Sequence, residues 1–221
     1  MIPIGDDNSQ RRLIPVVTWM LVAANVLVFL LELAGGDNFV YTWAFTPAYF
    51  SQNPTAFFIT IFTSMFMHAS WLHLGGNMLY LLIFGDNVED RMGSFNYLLF
   101  YLAGGVAASL AHILTNPGSQ IPTVGASGAI GAVLGAYLVL FPRSRVLTFI
   151  PLGFFMRLTL VPASIVLGLW FVLQLFSGVL SLGGPDVGGV AFWAHIGGFA
   201  FGALIAFLFA REHKPSSTTT W

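Results

Sequence analysis

Apolar residues recur along this chain in runs of roughly 20, the length that carries a helix across a bilayer. Read in order, the runs predict spans over Ile14–Leu33, Met65–Phe84, Tyr97–Leu114, Val124–Phe141, Leu158–Leu180 and Val190–Ala210. The expected fold class is all-α: a polytopic membrane protein whose residues 14–210 form a six-transmembrane-helix bundle. Residues 1–13 are expected to be a cytoplasmic N-terminal segment and residues 211–221 a polar, disordered cytoplasmic tail. Between the first two runs, Ala34–Ser64 contains Gly35, Gly36, Pro47 and Pro54 among the aromatics Tyr41, Trp43, Phe45, Tyr49, Phe50, Phe57 and Phe58. Such a segment suits the membrane interface. The other connections are short apart from Pro142–Arg157.

Composition agrees with the pattern. With 57% hydrophobic and 8% charged residues in 221, the chain has too little polar surface to coat a soluble globule. A net charge of −1 offers no basic tract for nucleic acid, and zero cysteines exclude disulfides and thiolate chemistry. The first run follows Arg11 and Arg12 without a small-residue cleavage pattern, so it reads as a retained helix. Arg11, Arg12, Arg91, Arg143, Arg145, Arg157, Arg211 and Lys214 all fall on alternate connections, which puts both termini in the cytoplasm by the positive-inside rule. The expected location is integral to the plasma membrane, multi-pass.

Polar groups inside hydrocarbon are expensive and point to function. Ser127 lies about four residues below the outer start of the fourth span and His195 about six below that of the sixth, each on the order of 6 to 9 Å deep. His73 and Asn77, at i and i+4, share one face of the second span, with His68 above them. Ser127, Gly131 and Gly135 form one stripe, and His195, Gly198 and Gly202 another. Small-residue stripes let helices approach closely in lipid, which would bring the Ser127 hydroxyl to the His195 imidazole. Glu32, Asp37 and Asp186 are expected at or beyond the outer boundary, and Asp86, Glu89 and Asp90 near the inner end of the second span. The expectation is therefore a serine–histidine dyad, since a serine needs only a positioned base. Asn25 and Gln174 read as interhelical hydrogen bonds, and His112 as interfacial.

A histidine metal site is the weaker enzymatic alternative: His68 and His73 are five apart, off one helical face, and no H-E-x-x-H motif occurs. Transport would call for midplane carboxylates and broken helices. A catalytically inactive protein that binds transmembrane helices is the other alternative.

Taken together, Gly125-Ala126-Ser127-Gly128, Ala194-His195-Ile196-Gly197-Gly198 with Gly202, and His68, His73 and Asn77 resemble the rhomboid family of intramembrane serine proteases, over Ile14 to Ala210. The resemblance implies Ser127 as nucleophile, His195 as base, His73 and Asn77 as oxyanion donors, and His68, Gly125, Gly128, Gly198 and Gly202 in support. It implies no cofactor, a single-pass transmembrane protein as substrate, an entrance beside spans two and five, and Leu180–Gly189 as a cap. Two departures stand out. Gly131 occupies a position where some members stack a tyrosine on the histidine, and Trp43 has no arginine beside it where many carry a Trp-Arg pair.

Overall fold

The computed structural model describes residues 1–9, 11–152, 155–182 and 189–212. The cap segment and the tail expected from sequence fall largely outside them.

A strand, β1 (Ile2–Asp6), leads to α1 (Val16–Trp43), followed by α2 (Pro47–Gln52), α3 (Pro54–Thr63) and a 3-10 turn at Ser64–Phe66. Next come α4 (Trp71–Met92), α5 (Ser94–Thr115), α6 (Ser127–Leu140), β2 (Arg145–Leu152), β3 (Phe155–Pro162), α7 (Ala163–Ser181) and α8 (Phe192–Glu212). The membrane body is wholly helical. At the end of the body that carries the N-terminus the strands make a small antiparallel sheet in the order β1-β2-β3, with Ile2 opposite Phe149 and Val146 opposite Val161. The apolar-run reading misses this sheet because Leu158–Pro162 merges with the apolar run that follows. Strand alternation is nevertheless present, with Val146 and Thr148 buried and Leu147 and Phe149 part-exposed. The fifth span therefore starts at Ala163, where Pro162 can serve as the helix entry.

The expected six full-length spans are not all there by length. Four helices, α1, α5, α7 and α8, are long and apolar enough to cross a bilayer, and α3 through the 3-10 turn plus α4, bent by 80°, makes a fifth if the bent pair is counted as one span. The remaining apolar helix, α6, has 14 residues, or about 21 Å. Its start is three residues later than the apolar run, because residues 124–126 are held as loop: Gly125 N–H donates to Ser64 O at 2.9 Å, and Phe45 and Thr123 exchange backbone bonds. The first span runs longer than expected, to Trp43, and turns at Gly36, whose φ of 58° favours glycine. The segment expected at the interface folds largely into α2 and α3, with Tyr41, Trp43, Tyr49 and Phe58 exposed to the surroundings.

α6 stands at the centre of the bundle, with Ala132, Ala136 and Tyr137 fully buried, and packs most closely on α8. Glycine makes that seam. A Cβ at Gly198 would lie 2.0 Å from Gly128 O, one at Gly202 1.9 Å from Ala132 O, and one at Gly135 2.1 Å from Phe199 O. At the end of the bundle near the sheet, buried Glu89 of α4 accepts from Val17 N, Thr18 N, Thr18 Oγ1 and Ser94 Oγ, tying the starts of α1 and α5 to α4. Asp86 pairs with Arg11, and Asp90 accepts from Arg12 N and Leu13 N.

Candidate active site

The glycine seam delivers the two reactive groups to each other. Ser127 is the first residue of α6, not a residue one turn inside a helix, and His195 lies in the first turn of α8. Ser127 Oγ is 2.7 Å from His195 Nε2. Gly131, one turn on, explains why no tyrosine stands there: a Cβ would already be 3.0 Å from His195 O. The backbones of α6 and α8 occupy the space an aromatic ring would need.

The imidazole is instead held from α7. His195 Nδ1 is 2.9 Å from Gln174 Oε1, and the Trp170 ring lies 5.9 Å from the His195 ring at 33°. Both residues were missed as site residues from sequence, although Gln174 was rightly expected to bond between helices. The available signal was an amide in an otherwise apolar span, one helical turn from a tryptophan. Asn25 Nδ2 donates to Leu21 O of its own helix, and its side chain also meets Tyr101 of α5.

The second-span residues reach the same place. Ser70 caps α4 by accepting from His73 N at 3.1 Å. This fixes the first turn, so that His73 and Asn77 face a cavity of about 1080 Å³ also lined by Gly125, Ser127, Trp170 and His195. Among the described residues, buried Asn77 Nδ2 has no hydrogen-bond partner. Gly125, with φ 135°, lies flat against His73: a Cβ would be 2.8 Å from His73 Cε1 and 3.5 Å from Ser127 Oγ. A side chain at 125 would thus wedge between the ring and the hydroxyl. Gly128 has the same character toward α5, where its Cβ would be 2.6 Å from Ala108 Cβ.

His68 is brought near but not into contact with the hydroxyl. It precedes α4, is 1% exposed, and meets Phe29 and His73 edge-on at 6.4 and 5.0 Å. Its backbone N–H donates to Glu32 Oε2 at 2.9 Å, so Glu32, expected at the boundary, is a buried anchor for this loop. His112 bonds Thr123 Oγ1 at 3.3 Å and steadies the loop that leads to Gly125. Among the described residues, the hydrogen-bonded partner of the imidazole away from the serine is an amide.

This arrangement can do acyl-transfer chemistry: a hydroxyl on a ring nitrogen, a ring held from behind, and donors across a cavity. Comparison with known proteins points the same way. Residues 56–212 match the Rhomboid domain. The chain is 29% identical over 200 residues to the rhomboid protease GlpG of Haemophilus influenzae, covering 90% of this chain and 94% of that protein. It is 35% identical over 133 residues to the rhomboid protease GluP of Bacillus subtilis, covering 59% of this chain and 26% of that one. It is also 35% identical over 96 residues to the mitochondrial rhomboid protein 1 of Saccharomyces cerevisiae, covering 42% of this chain and 28% of that one. The chain thus spans only about a quarter of the length of those last two relatives. With a multi-pass helical body and a match over most of its length, the chain belongs to the rhomboid family of intramembrane proteases.

Proposed function

We propose that the protein is a serine endopeptidase that cuts transmembrane segments of other membrane proteins near the outer side of the bilayer. The observation that carries this reading is the 2.7 Å contact of Ser127 Oγ with His195 Nε2 at the edge of a large cavity. In the reaction, Ser127 Oγ attacks the scissile carbonyl carbon while His195 Nε2 takes the hydroxyl proton. The carbonyl oxygen becomes an oxyanion, stabilised by His73, by Asn77 Nδ2 and by the Ser127 backbone N–H at the N-terminus of α6, where helix N–H groups lack intrahelical acceptors. The tetrahedral adduct collapses with expulsion of the amine, which receives the proton from His195. Water then adds to the acyl-enzyme by the same route in reverse, with His195 again as base.

Six crossings complete the topology, with α6 as a short central one whose inner end continues into the residues before β2. The run of Arg and Lys on alternate connections supports cytoplasmic termini and a plasma-membrane orientation with Ser127 in the outer half. Residues 1–13 and 211–221 then flank a single protease domain on the cytoplasmic side. His68 and the glycines at 125, 128, 198 and 202 support the site through packing. A single-pass membrane protein is the substrate, because its strand must leave a helix to expose a carbonyl to Ser127.

The test is cleavage of a model single-pass substrate in liposomes by wild type, Ser127→Ala and His195→Ala, with a chelator arm. Cutting near the outer end by wild type alone, indifferent to chelator, supports the reading. Cleavage by folded Ser127→Ala overturns the nucleophile, chelator sensitivity favours a metal site, and silence of wild type on several substrates favours a helix-binding role.

A further inference from the structure

Three α7 residues at i, i+4 and i+8, Trp170, Gln174 and Gly178, form one stripe turned toward α8. Each makes a different contact there. The Trp170 ring lies against the rings of His195 and Phe199, each at 5.9 Å. Gly178 leaves room for the start of α8: a Cβ would be 3.0 Å from Ile196 Cδ1 and 3.4 Å from Phe192 Cβ, and its carbonyl accepts from Trp193 Nε1 at 3.1 Å. Pinned on both sides, Gln174 presents Oε1 at 2.9 Å from His195 Nδ1.

We propose that Gln174 is the positioning residue that sets the tautomer and aim of His195, in the place a carboxylate holds in a triad; this rests on the Ser127–His195 reading above. The number of ring protons decides the tautomer. Ser127 Oγ–H can be activated only by a bare Nε2, so the single ring proton of neutral His195 must sit on Nδ1. An amide oxygen facing Nδ1 stabilises that tautomer, because an Nδ1 without its proton would oppose lone pair to lone pair. When Nε2 takes the serine proton, the same oxygen accepts from the imidazolium. A carboxylate would do this more strongly but would have to be ionised inside the hydrocarbon layer, whereas an amide supplies the acceptor without a resident charge. The ring is therefore held by α7 through a hydrogen bond and a tilted indole, and the tyrosine absent at Gly131 is not needed.

Methionine matches glutamine in length and lack of branching but has no carbonyl oxygen, so Gln174→Met keeps the packing and removes the acceptor, and Gln174→Glu restores one. In liposomes, Gln174→Met is expected to lower kcat by about 10- to 100-fold with KM within about twofold, less than the roughly 10⁴-fold that follows loss of a charged orienting group. Gln174→Glu is expected to recover most of that activity. Nitrogen-15 NMR of the histidines should show the Nδ1–H tautomer of His195 in wild type and a tautomer mixture in Gln174→Met. Unchanged kcat in Gln174→Met, or equal losses in Met and Glu accompanied by a fall in Tm, would overturn the proposal and leave only a structural role. Ser127→Ala and His195→Ala are run alongside. If both are dead while Gln174→Met is at full speed, this inference alone fails; if either is active, the dyad fails and takes the inference with it.

Discussion

Adding one methyl group at Gly202 should damage a reaction centre two helical turns away. A Cβ at that position lies 1.9 Å from Ala132 O and 2.5 Å from the Ala132 carbonyl carbon. An unstrained C···O contact is about 3.3 Å, so α6 and α8 must part by about 1.4 Å. The atom encountered is backbone, with no rotamer to give way. If the seam opens evenly, the Ser127–His195 separation grows from 2.7 Å to about 4 Å; if it hinges halfway, to about 3.4 Å. Either value exceeds the roughly 3.2 Å limit of a useful hydrogen bond. Overpacking of this kind costs about 3 kcal/mol, and the better helix propensity of alanine returns about 1 kcal/mol, leaving a net loss near 2 kcal/mol. A reacting pair misplaced by about 1 Å loses about 100-fold in rate. The assay pairs thermal unfolding in detergent with kcat on a model substrate. Gly168→Ala serves as the control, because a Cβ there meets nothing within 4 Å and should stabilise α7 by up to about 1 kcal/mol. Gly202→Ala with unaltered Tm and kcat within twofold of wild type would refute the close seam as the device that aligns the site.

Asn77→Ala should reduce kcat by about 10²- to 10³-fold with little change in Tm, as expected for loss of one oxyanion donor; full-speed cleavage would remove Asn77 from that role. Glu89→Gln places an amide NH₂ among four donors that now share a carboxylate, and should lower stability by about 3 kcal/mol or more, measured as the shift in Tm. Asp86→Asn keeps an acceptor for Arg11 far from the cavity and should leave kcat largely intact; a loss as deep as that of His195→Ala would contradict the site described. Burial pushes the Asp6 carboxyl up to about 6, helped by the Asp86 carboxylate and opposed by hydrogen bonds from Tyr137 and Asn87. The folded state then holds this proton more tightly than the unfolded chain does, so the stability it contributes is full below about pH 4 and is lost as pH rises through about 6. Wild type should lose more Tm than Asp6→Asn between pH 4 and 7, and parallel curves would show that Asp6 does not titrate in that window.

The meeting of Ser127 and His195 was more legible in the sequence than the architecture. Ser127 and His195 head stripes of small residues, and the stripes meet as their spacing requires, because close helix packing in lipid depends on missing side chains that a sequence displays directly. His73 and Asn77 share a face for the equally local reason of helical period. Two features were hidden by hydropathy, which measures composition and not conformation. The strand β3 is as apolar as the helix it enters, so Leu158–Pro162 read as membrane span. Residues 124–126 are apolar or small too, and only tertiary bonds from Ser64 and Phe45 hold them out of α6. Gln174 was visible as a polar residue on a stripe with Trp170 and Gly178, but its partner depended on which face of α7 meets α8, and that is seen only in the contacts of Gly178 with Phe192, Trp193 and Ile196.

The shortness of α6 gives the molecule a built-in ruler. A helix of 14 residues reaches about 21 Å, some 9 Å short of a typical hydrocarbon layer of about 30 Å, and Ser127 is its first residue. Tyr137 anchors the other end to Asp6 and Ser144. The hydroxyl is thereby carried at the floor of a cup whose walls are the longer helices, and the floor's height is a matter of residue count. One turn added to or removed from α6 below Gly135 would shift Ser127 by about 5.4 Å along an α8 of unchanged length and carry it away from His195. The height of the hydroxyl can thus be reset only if α6 and α8 change length together.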